Sequence, residues 1–160
     1  MDQSKSNVSK CFNAALRVLT RSEKSETELR KKLQQFGFSV SAIEAAVIKC
    51  REYNYLNDDR YALERARTML RTGRGVGIKI IYDLRRRGLD DSAVAQALET
   101  ATSEVSTSDL LRQQFKRRFP TFDYASAEQR ERRRVVSFFQ RRGFKLEQIF
   151  KILQESSADE

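Results

Sequence analysis

The feature that most constrains this chain is one spacing that occurs three times. Leu84, Gly88, Leu89, Val94 and Leu98 share it with Leu33, Gly37, Phe38, Ile43 and Val47 upstream. Phe139, Gly143, Phe144, Ile149 and Leu153 repeat it downstream. The glycines lie 51 and 55 residues apart, so the chain reads as three copies of one helical unit.

Helix-end chemistry explains the residue types. Gly88 suits the position just past a helix, where the backbone turns left-handed and a Cβ is penalised. Leu89 and Leu84 are then the apolar pair of a Schellman ending. Asp90 is an N-cap for the next helix, and Leu89 with Val94 forms a hydrophobic staple. Phe38 can serve Leu33 and Ile43 in the same way, and Phe144 can serve Phe139 and Ile149. The third copy has Lys145 where a cap is expected, so its turn should be the weakest.

The rest of the chain fits short helices at 3.6-residue periodicity. A first helix is expected over about 9–21, with Phe12, Ala15, Leu16 and Leu19 on one side. Ser25 and Glu28 have capping-box spacing before a helix that turns Leu29, Leu33 and Phe36 inward. A third helix, about 40–52, buries Ile43, Ala46, Val47 and Cys50. Asn57 or Asp58 caps a fourth, about 59–72, carrying Tyr61, Ala62, Arg65, Ala66, Met69 and Leu70. Gly73–Gly77 reads as a flexible joint, and Ile78, Ile81, Tyr82 and Leu84 are the inward candidates of the helix after it. A helix from 91 to about 102 buries Val94, Ala97, Leu98 and Ala101. Leu110, Leu111 and Phe115 open another, which Pro120 stops. Residues 125–142 form the longest candidate helix, and the last, about 146–154, buries Leu146, Ile149, Phe150 and Leu153. The domains are three three-helix repeats over 9–56, 57–104 and 105–155, with flexible tails at 1–8 and 156–160. Helices of about 10 residues are marginal alone, so packing within and between repeats must stabilise them.

Composition removes whole classes of function. There is no histidine, hence no histidine base, imidazole metal ligand or Ser–His pair. Two cysteines cannot close a structural zinc site. Cys11 and Cys50 sit in apolar helical patterns and read as small core residues in a reducing compartment. Asp58-Asp59 and Asp90-Asp91 lie at helix starts, where capping explains them better than a metal-dependent nuclease. Gly73-Arg74-Gly75-Val76-Gly77 follows a helix and lacks the Gly-Lys-Ser/Thr ending of a phosphate-binding loop. No apolar run approaches the ~20 residues of a membrane span, and the first residues lack a signal-peptide core, so a cytoplasmic protein is expected.

The formal net charge is +9. It divides as +4 over 1–56, +1 over 57–106 and +4 over 107–160. A basic balance spread along an array points to a polyanion or an acidic protein surface as partner.

Four stretches resemble a known family. They are Arg17–Arg21 with Ser25-Glu26-Thr27-Glu28-Leu29-Arg30-Lys31-Lys32-Leu33, then Tyr55-Leu56-Asn57-Asp58-Asp59-Arg60-Tyr61-Ala62, then Gly73-Arg74-Gly75 with Ile78 and Asp83–Leu89, and finally Arg142-Gly143-Phe144. The second and third are the specific ones. Over residues 10–155 the chain resembles the RecX family, the bacterial regulators of the RecA recombinase. It departs from the family's Gly-Tyr-Gly-Pro, with Arg74 for the aromatic residue and Val76 for the proline.

The resemblance implies an all-α fold, an elongated tandem array of three three-helix repeats with about nine helices. It implies no enzymatic activity and no cofactor or metal. The implied role is to bind the RecA–DNA filament along its helical groove and to limit recombinase, ATPase and coprotease activities. The expected partners are the RecA filament and, weakly and non-specifically, single- and double-stranded DNA; no membrane is expected, and the protein is expected to be a monomer. An extended basic array can meet several filament repeats at once, and arginine forks suit carboxylates and phosphates.

Candidate contacts in the middle repeat are Arg71, Arg74, Lys79, Arg85, Arg86 and Arg87. In the last they are Lys116, Arg117, Arg118, Arg132, Arg133, Arg134, Arg141 and Arg142. Taken singly, each is equally a solvated charge complementing a helix C-terminus. The clusters 85–87 and 132–134 favour binding. Phe115, Phe119, Phe138, Phe139 and Phe144 lie beside basic residues, where they could stack on unpaired bases, but their helical spacing favours the core. The alternative is a DNA-binding module in which the Gly88 turn acts as a helix-turn-helix.

Overall fold

A computed structural model describes residues 2–157 and contains nine helices and no strand among them. They are α1 (Asp2–Arg21), α2 (Glu26–Gln35), α3 (Val40–Glu52), α4 (Asp58–Thr72), α5 (Ile78–Arg86), α6 (Asp91–Ser103), α7 (Thr107–Arg118), α8 (Gln129–Gln140) and α9 (Leu146–Glu155).

The three repeated turns share one hydrogen-bond pattern. Leu89 N–H donates to Leu84 O (3.3 Å) and Gly88 N–H to Arg85 O (2.9 Å), the paired bonds of a Schellman ending. Phe38→Leu33 with Gly37→Gln34, and Phe144→Phe139 with Gly143→Gln140, repeat them. The glycine φ values are +86°, +81° and +95° in chain order. Asp90 caps the Ala93 N–H at 2.8 Å and Ser39 caps Ala42 at 3.2 Å, while Lys145 makes no capping bond. The capping box of α2 is complete, with Glu28 N–H to Ser25 Oγ at 3.2 Å and Ser25 N–H to Glu28 Oε2 at 3.1 Å. Asn54 (φ +57°) ends α3 in the same way without a glycine.

The chain divides into two compact units, and neither coincides with a sequence repeat. Unit 1 comprises residues 1–64 and 84–95; unit 2 comprises 65–83 and 96–160. The division runs through α4, α5 and α6. In unit 1, α1, α2 and α3 pack together around Cys11, Ala15, Leu29, Leu33, Ile43, Ala46, Val47 and Cys50. Both cysteines are free and buried. In unit 2, α9 packs on α7 and α8 over buried Leu111, Val135, Ile149, Ile152 and Leu153. Phe139 sits at the centre of this core, within 6.4 Å (ring centroids) of Phe115, Phe119, Phe138 and Phe144. The phenylalanines that alternate with arginines are thus core or core-edge residues.

Several expectations need correction. Residues 2–8 are the first turns of α1, not a frayed tail, because nothing there breaks a helix and Val8 packs on the core. Met1 and residues 158–160 lie outside the described residues. Helix α8 has 12 residues and α1, with 20, is the longest. Asp123 accepts the Ala125 and Ser126 N–H groups (3.0 and 3.1 Å), holding that stretch as a turn until Glu128. Glu155 closes α9, one residue past the expected end of that helix, and pairs with Arg112 at 2.8 Å. Phe36, Ile78, Tyr82, Leu146 and Phe150 are exposed, whereas Ile80 and Ile152 are buried in α5 and α9. Ile80 is two residues, or about 200° of rotation, from both Ile78 and Tyr82, so it lies on the opposite face, which it shares with buried Leu84.

Candidate polyanion-binding interface

The repeated turns position the basic residues. In unit 1 the Ser25 hydroxyl, fully buried, donates to the carbonyl of Arg87, and Thr27 packs against Gly88. In unit 2 the Val76 N–H donates to the carbonyl of Arg142 at 2.8 Å, and Gly143 lies against the Val76 carbonyl. Ser25 and Val76 each stand twelve residues before the turn glycine of their own copy. Each later turn is therefore seated on the equivalent point of the copy before it. This corrects the expectation of a flexible joint at Gly73–Gly77. Gly73 (φ +64°) closes α4, with Arg74 N–H bonded to Met69 O at 3.0 Å, and Val76 is buried.

Cations from separate parts of the sequence meet beside the third turn. The guanidinium of Arg142 lies 3.7 Å from the Phe138 ring centroid and that of Arg118 lies 5.5 Å from it. Burial, then the neighbouring charges of Arg118 and Arg141, hold the Arg142 guanidinium below its ordinary pKa. No carboxylate contributes to that shift. The Lys79 side chain lies against Gly143, next to Arg142. Arg118 and Arg134 share a cleft of about 320 Å³ with Phe119, Val135 and one acid, Glu131. Like charges held together on aromatic faces, with little acid to neutralise them, form a ready site for phosphates or carboxylates.

The other candidates divide by environment. Arg71, Arg74, Arg86 and Arg133 are exposed. Arg117 reaches Gln114 (3.4 Å), and Lys116 lines a different cleft, with Arg112 and Glu155. Arg132 is tied into the fold: it lies over Tyr124 at 4.7 Å and donates to Ala125 O at 3.0 Å, and its Nε is buried without a hydrogen-bond partner. Arg85 pairs with Asp91 at 2.9 Å on an exposed face. Arg87 bonds Glu28 (2.9 Å) and Tyr61 (3.0 Å) in unit 1. The triplets 85–87 and 132–134 thus each mix residues engaged in the fold with solvated ones. Sequence reading missed Phe138 as the platform for Arg118 and Arg142. The available signal was its i, i+4 relation to Arg142.

Among the described residues no group of histidine, cysteine or carboxylate side chains is placed to hold a metal ion, and no helix is long and apolar enough to cross a membrane. Two family models match the chain: the RecX first three-helix domain over residues 11–50 and the RecX second three-helix domain over 57–98. The chain is 42% identical over 144 residues to the regulatory protein RecX of Syntrophotalea carbinolica, covering 90% of this chain and 94% of that one. It is 33% identical over 147 residues to the regulatory protein RecX of Trichlorobacter lovleyi, covering 92% and 96%. The crystal structure of RecX from Lactobacillus salivarius shares the fold, with a TM-score of 0.75 over 94% of this chain and 97% of that one at 24% identity. Two matching domain models and relatives aligned along nearly their whole length lead to one conclusion: the chain belongs to the RecX family of regulatory proteins.

Proposed function

We propose that this protein is a non-enzymatic inhibitor of RecA that binds the RecA–DNA filament in its helical groove and limits its recombinase, ATPase and coprotease activities. In this reading the chain is three repeats, 9–56, 57–104 and 105–155, and acts as a cytoplasmic monomer. DNA is a weak, non-specific partner. The observation that carries the proposal is the pair of guanidinium groups of Arg118 and Arg142 over Phe138, with the charge of Arg141 acting on Arg142 and Lys79 nearby. Exposed Arg71, Arg74, Arg86, Arg133 and Arg134 add to the positive surfaces.

A helix-turn-helix reading is less well supported. The exposed residues of α6 include Asp91, Ser92, Gln96 and Glu99, so a groove-reading helix would bring carboxylates to phosphates. The test is RecA-driven ATP hydrolysis at sub-stoichiometric protein, beside DNA affinity over a salt series. The expected result is potent inhibition with weak, salt-sensitive DNA binding. Arg118→Glu with Arg141→Glu should relieve inhibition and lower the salt slope by about one per lost phosphate contact. Unchanged inhibition by this variant would remove the cluster from the site, and tight sequence-specific DNA binding without effect on RecA would overturn the proposal.

A further inference from the structure

A second basic surface lies in unit 1, in the stretch before residue 40, which supplied none of the candidate contacts. It is a groove of about 610 Å³ between α1 and α2. Its apolar wall is Ala14, Val18, Phe36 and Phe38. Its rim is Arg17, Arg21, Lys24 and Lys32, and no carboxylate lines it. Arg17 and Arg21 are one helical turn apart on α1. Lys32 stands 5.3 Å over the Phe36 ring from α2.

Phe36 itself is the unusual residue. The position before the turn glycine is Arg87 in the second copy and Arg142 in the third, and only the first copy has an aromatic there. Phe36 is 51% exposed, although it flanks a buried core. Leaving that much ring in water forgoes stabilisation that a docked apolar group would recover. The floor also discriminates between anionic ligands. It offers hydrocarbon but almost no hydrogen-bonding groups; Ser22, the one hydroxyl, is already held by Lys24 at 2.7 Å. The cationic rim donates but has no carboxylate to accept, so the N–H groups of a nucleobase entering the groove would lose water for little in return. An aliphatic or aromatic side chain would lose nothing of the kind.

We infer that this groove is a docking site for an acidic peptide segment carrying one large apolar anchor, with the anchor against Phe36, Val18 and Ala14 and flanking carboxylates on Arg17, Arg21, Lys24 and Lys32. The site is built by α1, α2, their connection and the turn that follows α2, and stands independently of the reading given above for the Phe138 cluster.

The experiment measures binding of a labelled Glu/Asp peptide with a single central Phe to the full-length chain. The same peptide with Ala at its centre and an oligothymidylate serve as competitors. The Phe peptide should bind about tenfold more tightly than its Ala analogue, as burial of much of one aromatic side chain requires. Phe36→Ala should remove that difference while leaving helix content by circular dichroism intact, since the ring is half exposed. Arg17→Glu with Arg21→Glu should weaken both peptides by at least about tenfold. Arg118→Glu should change neither. Equal binding of the Phe and Ala peptides, no measurable binding, or a preference for oligothymidylate that is lost on Phe36→Ala would each overturn the inference.

Discussion

The three turn glycines make a controlled experiment inside one molecule. All three have φ between +81° and +95°, so replacement by alanine imposes the same left-handed backbone on each. That term is roughly 1–2 kcal/mol, reduced by about 0.4–1 kcal/mol because alanine also restricts the unfolded chain. What differs is the space around the new methyl. At Gly37 nothing lies within 4 Å, so the net cost should be about 1 kcal/mol. At Gly88 the methyl would fall on the exposed Thr27 side chain. Thr27 can rotate away, losing its bond to Gly88 O and raising the cost to about 2 kcal/mol. At Gly143 the obstacle is the backbone carbonyl of Val76, which no rotamer change relieves. Moving it breaks the Val76–Arg142 bond, so the total should reach about 3 kcal/mol or more. For a chain of this length 1 kcal/mol is roughly 2–4 °C in midpoint. Thermal unfolding followed by circular dichroism should therefore show losses of roughly 2–4 °C for Gly37→Ala and roughly 6–12 °C for Gly143→Ala, with Gly88→Ala between. Three equal shifts, or the largest at Gly37, would refute the view that the later turns are seated on the preceding copy.

Arg87→Ala should cost about 1–2 kcal/mol through its bonds to Glu28 and Tyr61, while Arg86→Ala should be neutral in the same urea titration. Reversing all three charges at 85–87 would therefore perturb folding as well as binding, and Arg86 is the clean probe. Burial raises the Asp58 carboxyl above its ordinary range, although it accepts the Glu26 N–H at 2.8 Å. A raised carboxyl favours the folded state in acid and loses that advantage as pH rises through its folded value. Asp58→Asn keeps an acceptor and no charge, so its stability relative to wild type should improve from pH 4 upward to neutrality and converge below the ordinary carboxylate pKa; a difference independent of pH would contradict this. Burial also raises the Cys11 and Cys50 thiols, so neither should react with a thiol reagent at neutral pH until the chain is unfolded. Rapid labelling of the native protein would place them outside the core.

Helix ends were the most legible part of the sequence, because a cap is decided by a few neighbouring residues. Ser25 with Glu28, Gly88 with Asp90, and Lys145 as a poor cap all follow from local rules. Inward faces of short helices were less legible. In the nine residues of α5, Ile78, Ile80, Ile81 and Tyr82 offer more than one plausible stripe, and only packing selects Ile80. The site was least legible. Basic runs identify where charge is plentiful, but Arg87 and Arg132 are spent on Glu28, Tyr61 and Tyr124, partners remote in sequence or hidden in a turn. The approach of Lys79 to Arg142 rests on the seating of Val76 against the third turn, a backbone contact that no side-chain pattern announces.

The offset between sequence repeats and packed units has a consequence for synthesis. Unit 1 contains residues 84–95 as well as 1–64, so its last piece leaves the ribosome only after most of the second repeat has been made. A nascent chain halted at residue 56 holds a complete repeat by sequence, yet its Ser25 hydroxyl still has no Arg87 carbonyl to meet. Full protection of the amino-terminal helices from proteolysis should therefore arrive with the emergence of Ala95, well after the first repeat boundary.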